Sequence, residues 1–330
     1  MDPRGRPGCR RGAGLREDQL VTDTSAHNRR TRRGRPASLR RAAEGVVRAC
    51  IALTGWAAIA VLIAIAVFLA ANALRALREV GLAAMLTGDS WFPTSDPPRF
   101  GFLPSEAGSL WVTAVALALT VPLGVGAAVY ISEFAGRRIK DVAKSVIEFM
   151  AAVPSVVLGL IGLKLLVPQV KALFGIETGL TALSAGIMVG IMCLPTIISI
   201  AEDALHAVPA DLRQGSLALG NTRWQTAYKV VVPSASSGIL AAVMLGLGRA
   251  IGETMVVLML AGNSGEIAAS PLVSARTLTG TMAGEMGEVV FGGLHYSVLF
   301  AMGLVLFGAT FAVNLAADVV LERQRKRWRR

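Results

Sequence analysis

Six apolar runs dominate the chain, at positions 49–74, 109–131, 146–167, 179–201, 238–262 and 289–317. Each is long enough to cross a bilayer as a helix, which takes about 20 residues. The first is 26 residues without a charge, too long for the apolar segment of a cleaved signal, so it reads as a retained first transmembrane helix. Pro122, Pro154 and Pro195 fall inside the runs, and neighbouring helices can satisfy the backbone groups they free. The pattern predicts an all-α membrane protein, a polytopic bundle of six transmembrane helices. Around it lie a basic disordered tail (1–45), a first helix (46–75), a loop (76–108), a core with five helices (109–320) and a basic tail (321–330).

Composition agrees. The 330 residues are 53% hydrophobic with mean hydropathy +0.57, and only 17% are charged, against about 25% in soluble domains. A soluble enzyme is excluded. The net charge of +11 sits mainly in the two tails, where it orients a membrane protein rather than binding nucleic acid. With the N-terminus inside, 26 Lys and Arg residues face the cytoplasm and five (Arg75, Arg78, Arg99, Lys171 and Arg276) face out. That asymmetry predicts a multi-pass protein of a bacterial plasma membrane with both termini cytoplasmic. Three cysteines and three scattered histidines (His27, His206 and His295) form no disulfide framework or metal-ligand spacing.

Two outer loops carry polar and aromatic groups. The loop 76–108, with Trp91, Phe92, Phe100 and Phe102 among prolines, reads as turn-rich, with aromatics anchored at the membrane interface. In the loop 263–288, Glu266, Glu285 and Glu288 read as solvated acids, with contact to an outside partner as the alternative. Glu148 and Lys164 bound the third run, about 24 Å apart on one straight helix, and each snorkels to its own interface.

The inner loop 202–232 has its own pattern. Leu212, Leu217, Leu219, Trp224, Tyr228 and Val231 recur around a break at Gly220-Asn221-Thr222. Such a break stops one helix and caps another, so two short helices meet at Gly220 and present a docking shape. The segment Gln214-Gly215-Ser216, three residues, Gly220, then nine residues and Val230-Val231-Val232-Pro233 resembles the Glu-Ala-Ala loop of ABC-importer permeases. Spacing from Gly220 to Pro233 matches that family, while Gln214, Gly215 and Ser216 depart from Glu-Ala-Ala and leave its acid absent. In the family this loop docks the cytoplasmic ATPase.

In the fifth run, Arg249 and Glu253 stand four residues apart, on one face if the helix is continuous. An Arg within hydrocarbon costs at least about 2.5 kcal/mol and must face the bundle interior or a wet cavity. A guanidinium can hold a tetrahedral oxyanion through two parallel hydrogen bonds. Arg249 therefore reads as an anion contact in a translocation path, with Glu253 holding it and weakening its grip; a bridge that only specifies packing is the alternative. Gly248 and Gly252 form a G-x-x-x-G pair that admits a close neighbouring helix.

The run Gly248-Arg249-Ala250-Ile251-Gly252-Glu253-Thr254-Met255, followed by Ala261-Gly262-Asn263, resembles phosphate ABC-importer permeases. So do Glu148 through Gly159, with Val153-Pro154-Ser155-Val156-Val157, and the stretch from His295-Tyr296-Ser297 to Phe307. The resemblance covers roughly 100–320 and is nearest the PstC type of subunit. It implies a type I ABC-importer permease fold, with Arg249 and Glu253 in the translocation path. The implied partners are a second permease subunit (PstA type), a phosphate-transport ATPase dimer (PstB type) and an extracytoplasmic phosphate-binding protein (PstS type). No Gly-x-x-x-x-Gly-Lys-Ser/Thr run occurs, so ATP hydrolysis is expected on the partner, and no cofactor or catalytic residue is expected here. Sulfate- or molybdate-type permeases carry a similar Arg stretch, followed by an aromatic and Gly where this chain has Thr254-Met255. An ion-coupled secondary transporter is the further alternative, against which the long inner loop and the six spans argue.

Overall fold

The computed structural model describes residues 37–328. The tail expected over 1–45 lies outside the described residues as far as position 36; from Ala37 the chain is already helix. Helix α1 runs Ala37–Glu79, and Glu44–Glu79 within it is long and apolar enough to cross a membrane. Its part up to Ala64 stands as one unit, and the chain from Ile65 onward forms a second.

In that second unit, α2 (Leu82–Thr87) leads to a small antiparallel ribbon. Its strands are β1 (Trp91–Phe92) and β2 (Arg99–Phe100), with Trp91 opposite Phe100 and Phe92 opposite Arg99. The expectation that these aromatics anchor at the interface is corrected for three of them. Trp91, Phe100 and Phe102 are buried in a folded cap with Met85, Leu278, Val298, Leu299 and Met302. Trp91 stacks edge-on against Phe100, their ring centres 6.0 Å apart. Phe92 alone stays exposed.

Helix α3 (Leu103–Val129) continues through a widened turn, Tyr130–Phe134. It packs most extensively on the helix Ala182–His206. Helix α4 (Arg137–Ala152) buries no residue. It stops because Pro154 lacks an N–H and forces Val153 extended (φ −69°, ψ 126°). The span expected over 146–167 is therefore two pieces. Beyond the break, α5 (Ser155–Ile161), a widened turn and α6 (Val167–Phe174) form the crossing Ser155–Phe174. Glu148 and Lys164 thus lie on different helices, not at the ends of one.

Helix α7 (Ala182–His206) is capped by Thr181, whose side chain accepts the Ser184 N–H at 3.2 Å. Small residues let α3 and α7 touch backbone to backbone. A Cβ at Gly186 would meet Val115 at 2.6 Å, and one at Gly190 would meet Thr120 at 3.0 Å. The Thr120 hydroxyl reaches Gly190 O at 2.9 Å. Gly186 and Gly190 thus form a close-packing G-x-x-x-G pair inside this chain.

Next come α8 (Ala210–Ala218), α9 (Arg223–Thr226) and α10 (Val232–Ser234). Helix α11 (Ser236–Ile251) leaves them at a 70° bend. The span expected over 238–262 is not one helix either: α11 ends at Ile251, and α12 (Met255–Leu260) starts after a break. Helices α13 (Leu278–Glu285) and α14 (Leu294–Trp328) complete the described residues, so the basic stretch 321–330 continues α14 as helix to Trp328. Among the described residues, five helices are long and apolar enough to cross a membrane, or six if the pair bent at 70° is one crossing. This is an all-α, multi-pass membrane architecture.

Candidate functional site

The break between α11 and α12 organises the site. Arg249 lies in the last turn of α11, where its charge faces the negative end of the helix dipole. It is 13 residues from Ser236, about 20 Å along the axis. Its Nη1 donates to Thr196 Oγ1 on α7 at 3.3 Å, and the guanidinium is otherwise exposed. Gly252 closes α11, its N–H donating to Gly248 O at 3.2 Å. The chain then turns, and the Glu253 carboxylate accepts the N–H groups of Met255 (3.1 Å) and Val256 (3.2 Å). Those are the donors that the first turn of α12 would leave unsatisfied. The Glu253 carbonyl accepts from Thr279 Oγ1 on α13 at 2.7 Å.

Arg249 and Glu253 therefore belong to different elements, and the face expected to be shared by a four-residue spacing does not form. Among the described residues no ion pair joins them: Glu253 is committed to α12 and Arg249 leans on α7. Gly248 and Gly252 meet no other helix of this chain. A Cβ at Gly248 would meet nothing within 4 Å, and one at Gly252 only carbonyl oxygens of the preceding turn. Within this chain α11 makes its tight contacts at Gly238, against Ala204, and Gly246, against Ile197.

At the C-terminal ends of the crossings Leu103–Phe134 and Ala182–His206 lies the loop of α8 to α10. Gly220 takes φ +87°, a conformation that favours glycine, and so separates α8 from α9. Thr222 and Gln225 then form a reciprocal cap: Thr222 Oγ1 accepts the Gln225 N–H at 3.2 Å, and Gln225 Oε1 accepts the Thr222 N–H at 2.9 Å. Gln214 and Gly215 face solvent, whereas Ser216 is buried. The Ser216 hydroxyl lies 3.0 Å from Thr226 Oγ1 and accepts from Asn221 at 3.2 Å, so this departure from alanine is matched by two polar neighbours. Pro233 sits in α10, beside the 70° bend. Leu217, Leu219, Trp224 and Tyr228 are exposed around these helices, Leu219 to 85%. Beneath them Leu205, Val208 and Val231 form a small core.

One polar cluster escapes a reading of the sequence. Glu285, expected to be solvated, accepts from Trp91 Nε1 (2.9 Å) and pairs with Arg276 and with His295 Nε2 (2.8 Å). Arg276 also donates to Asn263 O at 2.9 Å and Ser264 O at 3.4 Å. Its partners come from four separate stretches, so no local spacing announces it. The only hint is the presence of an arginine, a histidine and a tryptophan in otherwise apolar surroundings. A second pairing, Lys140 (2.9 Å) and Lys144 (3.2 Å) on Glu202, ties α4 to α7.

Residues 120–330 match the family described as the binding-protein-dependent transport system inner membrane component. The chain belongs to this family. A probable ABC transporter permease protein, YqgH, of Bacillus subtilis is 38% identical over 85% of this chain and 90% of its own length. The phosphate transport system permease protein PstC of Mesorhizobium japonicum is 35% identical over 82% of this chain and 89% of its own. Among solved structures, the inward-facing MetNI methionine ABC transporter aligns with TM-score 0.53 at 17% identity. That alignment covers 66% of this chain and 93% of the other. The fold is accordingly that of type I ABC-importer permeases, and this permease is a transmembrane transport subunit of an ABC importer. Its matched region contains both the broken helix at Arg249 and the loop of α8 to α10.

Proposed function

We propose that this permease forms half of a phosphate translocation path, with Arg249 as the contact for the anion. Supporting the anion is the PstC name carried by relatives that align over most of the chain. The carrying observation is Arg249 itself. It sits at a helix break about 20 Å into the bundle, its expected counter-charge is turned away onto α12, and among the described residues its guanidinium makes one long hydrogen bond, to Thr196. Broken helices at such depth persist where they are buried in protein or line a cavity. A fork of donors with no fixed acid opposite suits an oxyanion in transit, because binding stays reversible. Glu253 then acts by holding the start of α12 rather than by holding Arg249.

The rest of the assembly follows from the loop and the charge asymmetry. Gln214, Gly215, Ser216, Gly220 and Pro233 belong to a loop that docks a separate ATPase through Leu217, Leu219 and Trp224, on the cytoplasmic side with both termini. Gly248 and Gly252, bare within this chain, face the second permease subunit. An extracytoplasmic phosphate-binding protein delivers the anion, and this chain hydrolyses no ATP. ATP-driven closure of the ATPase dimer rotates the two permeases against each other and opens the path alternately to each side.

Uptake of phosphate, sulfate and molybdate by vesicles carrying the full complex tests the substrate. Phosphate uptake that neither competitor displaces supports the reading. Uptake of sulfate or molybdate without phosphate assigns the path to another oxyanion and overturns it.

A further inference from the structure

The permease must pass motion from the loop that meets the ATPase to helices that line the path, and one side chain joins the two. Arg213 lies on α8, beside the exposed Gln214 and Gly215, yet its guanidinium points into the protein. Nη2 donates to Glu133 Oε1 at 3.0 Å and to Leu205 O at 2.7 Å, Nε reaches both Glu133 oxygens at 3.3 Å, and Nη1 donates to Val208 O. Glu133 ends the helix Leu103–Phe134; Leu205 and Val208 lie at and just past the end of α7. A single fork thus grips the docking loop, the second crossing and the fourth. The neighbouring Phe134 ring packs on Trp224 of α9 at 5.9 Å, so α8 and α9 are both tied to one widened turn. Such turns often mark functional positions in helices.

We infer that Arg213 is a positioning residue that transmits movement of the docking helix to the transport path through Glu133 and the end of α7. The inference rests on the reading of α8 to α10 as the ATPase dock and extends it. From Leu205, α7 runs nine residues back to Thr196, about 14 Å, and Thr196 is the side chain that Arg249 touches. The route is therefore a continuous set of hydrogen bonds and one rigid helix. A plain helix cap would use only the carbonyls of Leu205 and Val208; the bidentate carboxylate on a different helix is what a cap does not need. Lysine cannot reproduce the fork, because it offers one point charge in place of several fixed donors.

The test is phosphate moved per ATP hydrolysed, in proteoliposomes holding the permease with its partner subunit, ATPase and binding protein. Glu133→Gln weakens the ion pair while leaving both carbonyl bonds, and Arg213→Lys removes the fork. Both variants are expected to retain the ATPase on purification and to hydrolyse ATP, with the transport ratio reduced about fivefold, the equivalent of about 1 kcal/mol. An unchanged ratio in both, or loss of ATPase binding in both, makes Arg213 a structural brace and overturns the inference. The underlying dock is tested separately by Leu219→Asp with Trp224→Asp. If that variant still binds the ATPase, the dock is wrong, whatever the Arg213 ratio shows.

Discussion

Two arginine–glutamate pairs in this permease look alike on paper and behave oppositely. Arg249 and Glu253, four apart, have the spacing of a helical ion pair, yet the helix ends between them and each turns to a different neighbour. Arg276 and Glu285, nine apart, have no regular spacing, yet they meet in a half-buried knot with Trp91 and His295. In the second pair each guanidinium nitrogen and each carboxylate oxygen has a fixed partner, which is what a structural strut requires. In the first, one charge is spent on a helix end and the other is left facing open space. Spacing alone could not separate these roles, because what decides them is where the backbone stops being helical.

That contrast can be broken by experiment, beginning with the largest effect on stability. Glu285→Ala leaves Arg276 half-buried without its acid and is expected to cost about 3 kcal/mol or more. It should be read as a marked fall in the melting temperature of the purified permease in detergent, with transport per folded molecule little changed. A wild-type melting curve would deny Glu285 its structural role. Glu253→Ala removes the side chain that caps α12, a loss of about 1 kcal/mol, whereas Glu253→Gln keeps an acceptor oxygen and should melt close to wild type. Equal melting of the two variants would show that the cap contributes nothing. Smallest of all is Arg249→Ala, for which no measurable shift in melting temperature is expected. A large drop there would place Arg249 among the struts, with Arg276.

Much of this was legible in the chain. The apolar runs announced a bundle of crossings, and Gly220 with Thr222 announced two short helices, because those signals are local. The breaks were less legible. Pro154 was visible but read as tolerated inside a span; in the structure it separates α4, which buries nothing, from the crossing that follows. The end of α11 at Ile251 was hidden, since Gly252 is compatible with a helix and the competing bonds come from Glu253 and from Thr279, 26 residues on. The cap was hidden for the same reason. Trp91 and Phe102 are covered by residues from 278 to 302, and no pattern in 76–108 can show a partner that distant. The tight glycines within the chain were hidden because G-x-x-x-G occurs five times, and only the fold shows that Gly186 and Gly190 meet a helix of this chain while Gly248 and Gly252 do not.

The role of Arg249 is tested most directly by phosphate uptake in the assembled complex, with wild type, Arg249→Lys and Arg249→Ala compared at equal permease and ATPase content. A charge-assisted hydrogen bond contributes about 1.5–3 kcal/mol, so uptake is expected to fall about 10- to 100-fold in Arg249→Ala. Arg249→Lys should fall as well, because it keeps the charge but loses the planar fork. Normal uptake in both variants, with the complex intact, would contradict the account and leave Arg249 a packing residue.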